Sequence, residues 1–104
     1  MRKIEKELVE AVTYFEPFTK GNTCFHRKAG TQYCWELSLH GNVIALFSEK
    51  GKNPQVPTYV SLAGWPTKTT KSRLNSLPGV HVYTCRGIHY LNGKEISEYG
   101  FFEV

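Results

Sequence analysis

The sequence predicts an α+β fold, an antiparallel sheet of about five to six strands with an N-terminal helix and a second short basic helix. Three observations predict it. A helical apolar stripe runs through residues 2 to 15, strict apolar alternation begins near residue 33, and glycine dipeptides at 41–42, 86–87 and 92–93 mark tight turns between apolar runs.

The elements follow in chain order. Residues 2 to 15 place Ile4, Leu8, Ala11, Val12 and Phe15 on one face, while Lys3 with Glu7 and Lys6 with Glu10 sit four apart on the wet side. Pro17 stops this helix. From residue 22 the period falls to two, and Tyr33, Trp35, Leu37 and Leu39 alternate with Cys34, Glu36, Ser38 and His40 as a strand with one buried face. Gly41-Asn42 allows a two-residue turn into Val43 to Ser48, in a register that sets Leu39 against Ile44 and Leu37 against Leu46. Glu49 to Pro57 holds two prolines, a glycine and two lysines and reads as an exposed loop; Thr58 to Ala63 is a further short strand. Pro66 holds Trp65 extended, Thr67 or Thr69 caps a helix running from about Thr69 to Leu77, and Pro78-Gly79 ends it. Val80 to Cys85 and Ile88 to Leu91 then flank Arg86-Gly87, and Asn92-Gly93 returns the chain through Lys94, Glu95 and Ile96.

Composition narrows the classes. A chain of 104 residues is expected to form one domain, 1–104, around a single core. The net charge of +4 arises from 13 Lys and Arg against 9 acidic residues, all of them Glu. Without Asp, a frequent magnesium ligand, a metal-dependent nuclease loses support. The charge suits an acidic partner and equally serves solubility. Cys24, Cys34 and Cys85 are odd in number and contain no Cys-x-x-Cys pair, so no disulfide framework is implied and a reducing cytoplasm is expected. No stretch approaches the roughly 18 apolar residues of a membrane span, and the N-terminus lacks the apolar run of a signal peptide. The expected location is the cytoplasm, with no membrane partner.

Constellations that carry chemistry are thin. Cys24 with His26, and His81 with Cys85, share strand faces and supply nucleophile and base types, but neither pair has a nucleophile elbow or oxyanion signature around it. Packing is their expected role. The same four residues have zinc-ligand chemistry, yet structural zinc sites favour close pairs on turns, and one intervening residue on a strand fits that geometry poorly. No Gly-x-Gly-x-x-Gly or Walker pattern cradles a phosphate. The expectation is a protein without enzymatic activity, metal or cofactor.

The segment Gly64 to Asn75 is the strongest candidate surface. Leu74 and Leu77 lie three apart and anchor the basic helix, leaving Lys68, Lys71, Ser72 and Asn75 outward and Arg73 near their edge. Cations beside hydroxyls and amides suit phosphates and base edges, and Trp65 adds an aromatic anchor of the kind enriched at contact hot spots. The candidate partner-binding set is therefore Trp65, Lys68, Lys71, Ser72, Arg73, Asn75 and Arg86, with His89 and Lys94 extending the patch. Replacing Lys68, Lys71 and Arg73 by Ala is therefore expected to change stability by less than about 1 kcal/mol while partner binding falls sharply; the bland alternative is a solvated helix face, on which binding would survive the change.

Two resemblances bear on these residues. Lys-Thr-Thr-Lys-Ser-Arg-Leu-Asn (68–75) followed by hairpins resembles the recognition helix and wing of winged helix-turn-helix DNA-binding proteins, although strand and proline-rich loop stand where that motif has its first helix. Leu-His-Gly-Asn-Val-Ile-Ala (39–45), the Gly-Trp-x-Thr-x-Thr-Thr-x-x-Arg-Leu-Asn core (64–75), Gly-Val-His-Val-Tyr (79–83) and Tyr-Leu-Asn-Gly-Lys-Glu-Ile (90–96) together look like a family of small uncharacterised accessory proteins of tailed bacteriophages. That resemblance brings no shared activity with it. It implies a protein acting in the infected cell by binding a host protein or nucleoprotein complex and modulating it, with sequence- or structure-selective nucleic-acid binding through residues 67–77 and the following hairpin as the alternative.

Overall fold

Helix α1 (Lys3–Tyr14) forms where the apolar stripe lies, with Leu8, Ala11 and Val12 buried. It ends as Phe15 turns left-handed at φ 51°, which lets the N–H groups of Phe15 and Glu16 reach back to the carbonyls of Val12 and Ala11. A left-handed phenylalanine costs about 1–2 kcal/mol. Its ring offsets that cost by packing 5.7 Å from Trp35 and 6.4 Å from Phe25, centroid to centroid. Glu7 takes its ion pair from Lys20, 2.9 Å away beyond the helix, rather than from Lys3.

The computed structural model describes residues 2–28, 34–49 and 52–104. Tyr33 of the expected strand, and Lys50 and Gly51 of the expected loop, lie outside the described residues. Strands β1 (Phe18–Lys20), β2 (Thr23–Arg27), β3 (Cys34–Leu39), β4 (Asn42–Ser48) and β5 (Tyr59–Val60) precede helix α2 (Lys68–Asn75); β6 (Val82–Cys85), β7 (Ile88–Leu91), β8 (Lys94–Ile96) and β9 (Phe102–Glu103) follow it. The fold is α+β, as the sequence predicts, with six antiparallel strands in the order β1-β2-β3-β4-β5-β9. The last three hairpin strands do not join that sheet but make a second one, β6-β7-β8. The cause lies at the exit of α2: Asn75 accepts a bond from the N–H of Val82 at 2.6 Å and donates one to its carbonyl at 2.9 Å, tying the start of β6 to the helix instead of to a sheet edge. The chain rejoins the larger sheet only at β9, where Val60 pairs with Phe102.

The hairpins at Arg86-Gly87 and Asn92-Gly93 form as predicted, both with two left-handed residues, so that Cys85 pairs with Ile88 and Leu91 with Lys94. The first long hairpin differs by one residue. Its turn is His40-Gly41, at φ 53° and 79°, and Leu39 faces Asn42. A bulge beyond Ser38 then makes Ile44 an extra residue, so Leu37 faces Ala45 and Trp35 faces Phe47. This restores alternation to the core: Ala45 and Phe47 are buried with Trp35 and Leu37, while Leu46, expected inside, turns to the other face opposite Glu36. Ile44 is buried because a bulged residue escapes the parity of its strand.

Both helices pack on the buried face of the larger sheet, where Leu8, Val12, Phe25, Leu37, Phe47, Val60 and Leu74 form the centre of the core. Trp35 is its largest member. The indole stacks on Phe25 at 4.9 Å, carries the Arg27 guanidinium 5.6 Å above its centroid, and donates from Nε1 to Glu49. Among the described residues no helix is long and apolar enough to cross a membrane. Trp35→Ala should lower stability by about 3–5 kcal/mol, because the cavity lies beneath two aromatic neighbours that cannot collapse into it. Denaturant unfolding checks this, and an unchanged midpoint would mean the indole is not held in the core.

Candidate functional site

The approach to α2 is a locked corner. Ala63 and Gly64 are both left-handed, at φ 56° and 72°, and the Trp65 N–H closes the turn on the Leu62 carbonyl at 2.9 Å. Glycine suits the left-handed φ at 64, and a Cβ there would stand 2.7 Å from the exposed Tyr99 ring, which would have to swing aside. Beyond the corner, Thr67 caps the helix by accepting from the N–H of Thr70 at 3.1 Å, one of the two caps the sequence offered. The Trp65 carbonyl accepts from the N–H of Thr67 at 2.8 Å and from the Thr70 hydroxyl at 3.1 Å. Its backbone is therefore fixed on both sides.

Trp65 as a whole is 58% exposed. It stacks on His40 with centroids 6.0 Å apart and planes 23° from parallel. His40 occupies the left-handed turn of the β3–β4 hairpin, where its N–H donates to the Asn22 carbonyl at 2.9 Å. Beneath the two rings lies a cleft of about 140 Å³ with Ile44 and Leu62 in its lining and Asn42, Thr67 and Thr69 beside them. The sequence signalled Trp65 but not His40, because Gly41-Asn42 advertised the turn one residue too late.

The predicted cations divide. Lys68 is exposed at the first turn of α2. Lys71 is half-buried and donates to the Thr84 hydroxyl at 2.6 Å, whose oxygen also lies 2.8 Å from Nδ1 of His89. Arg86 stands exposed at the tip of the β6–β7 hairpin, and Lys94 is exposed on β8. Ser72 donates to Glu5 at 2.6 Å, and Asn75 holds β6 as described. Arg73, expected near the edge of the exposed face, is instead 7% exposed. Its Nη1 lies 2.7 Å from Oε2 of Glu5 on α1, and its Nε donates to Thr23 on β2 at 3.1 Å. Thr70, Arg73, Leu74 and Leu77 recur at three and four and share the inner face, where Glu5 and Thr23 supply the partners that let Arg73 join the two leucines. The expectation that Ala at 68, 71 and 73 would be neutral is corrected accordingly.

Burial of Glu5 by itself would raise its pKa. Hydrogen bonds from Ser72 and Arg73, the Arg73 charge and the Arg2 backbone outweigh that and hold the carboxyl below its ordinary range.

Of the nominated chemical pairs, Cys24 and His26 come together, Sγ to Nδ1 at 3.3 Å. His81 packs its ring 5.1 Å from Tyr83, and Cys85 is exposed at the far end of β6. Among the described residues, no three His, Cys or Glu side chains converge as a metal site.

Fold and surface together define a small α+β protein that presents a fixed aromatic side chain beside a shallow apolar cleft. The chain belongs to the Kyanoviridae Gp96 protein family, whose model matches residues 1–103, and it is therefore a phage protein, as the bacteriophage resemblance implied. No curated protein and no solved structure matches it.

Breaking the buried pair should be costly. Glu5→Gln leaves the Arg73 charge enclosed without a counter-ion and should cost about 3–5 kcal/mol, whereas Glu5→Gln with Arg73→Met should cost much less than the two single changes summed. Because the folded-state pKa of Glu5 is depressed, the unfolded chain binds the proton more readily, so the contribution is present above about pH 4.3 and is lost as pH falls through the lowered folded value. Denaturant unfolding at descending pH checks both; Glu5→Gln should show the shallower acid loss.

Proposed function

We propose that this phage protein works by binding, without catalysis, and that it docks a host protein or nucleoprotein target through Trp65, His40 and the exposed start of α2 at Lys68, altering the target's activity. The observation that carries this reading is the contrast within Trp65. Its backbone is held by bonds to Leu62, Thr67 and Thr70, yet the residue is 58% exposed. A rigid, exposed tryptophan loses little conformational entropy on binding, which is the property of an interface anchor. The cleft beside it takes one apolar side chain of a partner, and Lys68, exposed on the first turn of α2, favours an acidic surround.

A second reading has its own observation. Tyr83 and Tyr90 stack at 5.1 Å and 17° on the smaller sheet, next to the Arg86 hairpin, and the Lys71–Thr84–His89 chain ties that sheet to α2. Paired aromatics beside cations make a platform for unpaired bases, which supports nucleic-acid binding by α2 and the following hairpin.

Affinity capture from host lysate, with and without nuclease, separates the two. The leading reading expects a nuclease-resistant host protein whose affinity for Trp65→Ala falls by roughly thirtyfold or more, at unchanged melting temperature, and whose salt dependence is shallow. The second expects nuclease-sensitive capture and a steep log-linear salt dependence whose slope drops by about 1 for each phosphate-contacting cation removed. Equal capture by Trp65→Ala and by the natural sequence would remove Trp65 from the interface.

A further inference from the structure

The face of the larger sheet turned away from the helices carries a second constellation. With Phe25 and Leu37 buried, alternation turns Cys24, His26, Glu36 and Ser38 to the opposite side, and the β2–β3 register sets His26 against Glu36 and Cys24 against Ser38. The Sγ of Cys24 lies 3.3 Å from Nδ1 of His26, and Nε2 of the same ring lies 3.1 Å from Oε1 of Glu36. From β1, the Thr19 hydroxyl stands 3.5 Å from the sulfur.

The order of atoms matters more than the proximity. An ionised Glu36 can only accept, so it holds the ring hydrogen on Nε2. That leaves the lone pair of Nδ1 directed at the thiol, which is the tautomer a base requires. Once the proton moves, the imidazolium sits between two anions and stabilises both. The titratable groups facing Cys24 are His26 on its own strand and, through that ring, Glu36 on β3; Thr19 of β1 and Ser38 of β3 contribute hydroxyls only. Further along these strands come Lys28 and Cys34. Because the two ring nitrogens point opposite ways, the sulfur and carboxylate do not converge on one point, so the arrangement suits proton transfer and not metal binding.

We infer that Cys24, His26 and Glu36 form a reactive-thiol site at which Cys24 is converted to a mixed disulfide by a low-molecular-weight disulfide of the glutathione class, independently of the docking surface. Cys24 gives its proton to Nδ1 of His26, and the thiolate attacks one sulfur of the reagent RS–SR. The Cys24–SR bond forms as the S–S bond breaks, and RS⁻ leaves with that bond's electron pair and takes the proton from His26 as RSH. The Cys24 sulfur is oxidised to the disulfide level and the departing sulfur is reduced. A sulfur electrophile fits this open face because its attack develops no oxyanion and needs no preorganised donors for one. Cys24 is half-buried beside a ring whose side chain is 43% exposed.

Cys85, exposed and outside any such cluster, is an internal reference. The full chain is treated with dithiobis-nitrobenzoate across pH and, separately, with glutathione disulfide followed by peptide mapping. At about pH 6.5 Cys24 should react at least about tenfold faster than Cys85, and the glutathione adduct should map to Cys24. His26→Asn should bring the Cys24 rate down to that of Cys85. Glu36→Gln, which frees the ring to take the other tautomer, should slow the Cys24 reaction at about pH 6.5 severalfold, with no change in melting temperature. The proposal is overturned if Cys24 reacts no faster than Cys85, if its fast reaction survives His26→Asn, or if the adduct maps to Cys34 or Cys85.

Discussion

The ion pair between Glu5 and Arg73 is the constraint on which the arrangement of this protein turns. It joins α1 to α2 and, through the Arg73 bond to Thr23, joins both to β2. Helix α2 has eight residues and few apolar ones, so hydrophobic burial alone would leave its rotation loosely specified. A buried guanidinium with only one satisfactory set of partners removes that freedom. Once Arg73 points inward, Thr70 must point inward one turn earlier, where it holds the Trp65 carbonyl, and Lys68 must point out. The net stability of such a pair is modest, since desolvating two charges consumes most of their attraction. Its value here lies in orientation.

Left-handed backbone also occurs where that orientation is used. Two of the left-handed residues that are not glycine, His40 and Ala63, line the same cleft. Each is held by groups on other segments: His40 through Asn22 and its stack on Trp65, Ala63 through the Ser61 hydroxyl and the Trp65-to-Leu62 bond that closes the turn. A strained residue persists only when the surrounding structure over-determines it, and Ala63 meets that condition. Arg86 and Asn92 of the smaller sheet sit, like His40, in two-residue turns that favour such dihedrals, so Ala63, outside any such turn, is the strained position of the cleft.

Local signals in the sequence carried the fold class, because each depends on residues within a few positions of one another. The stripe of α1, the Thr67 cap and the Arg86-Gly87 and Asn92-Gly93 turns are all of this kind. Failures came where distant residues decide. Glu5 reads as one more charge on a wet helix face until Arg73, 68 residues on, is brought against it. The choice between His40-Gly41 and Gly41-Asn42 rests on whether a bulge can restore the core register, which only the packed sheet answers. Strands β1 and β9, at three and two residues, are too short to show a period. At the thiol cluster, Cys24 and His26 were legible as same-face neighbours, but Glu36 enters only through the β2–β3 pairing.

Strand β3 links the two surfaces without making them compete. Its inward residues, Leu37 and Leu39, support the core and one wall of the cleft, and the turn that follows it places His40 beside Trp65. Its outward residue Glu36 orients His26 on the opposite face. Alternation alone separates the two roles, since neighbouring residues on one strand address different sides of the sheet. The bulge sits on β4 opposite Leu37 and Ser38, between the part of the hairpin that serves the cleft and the part that serves the core. It absorbs the one-residue offset introduced by the His40-Gly41 turn. The turn is thereby free to be set by Trp65, while Trp35, Leu37 and Glu36 keep the register that the core and the imidazole each require.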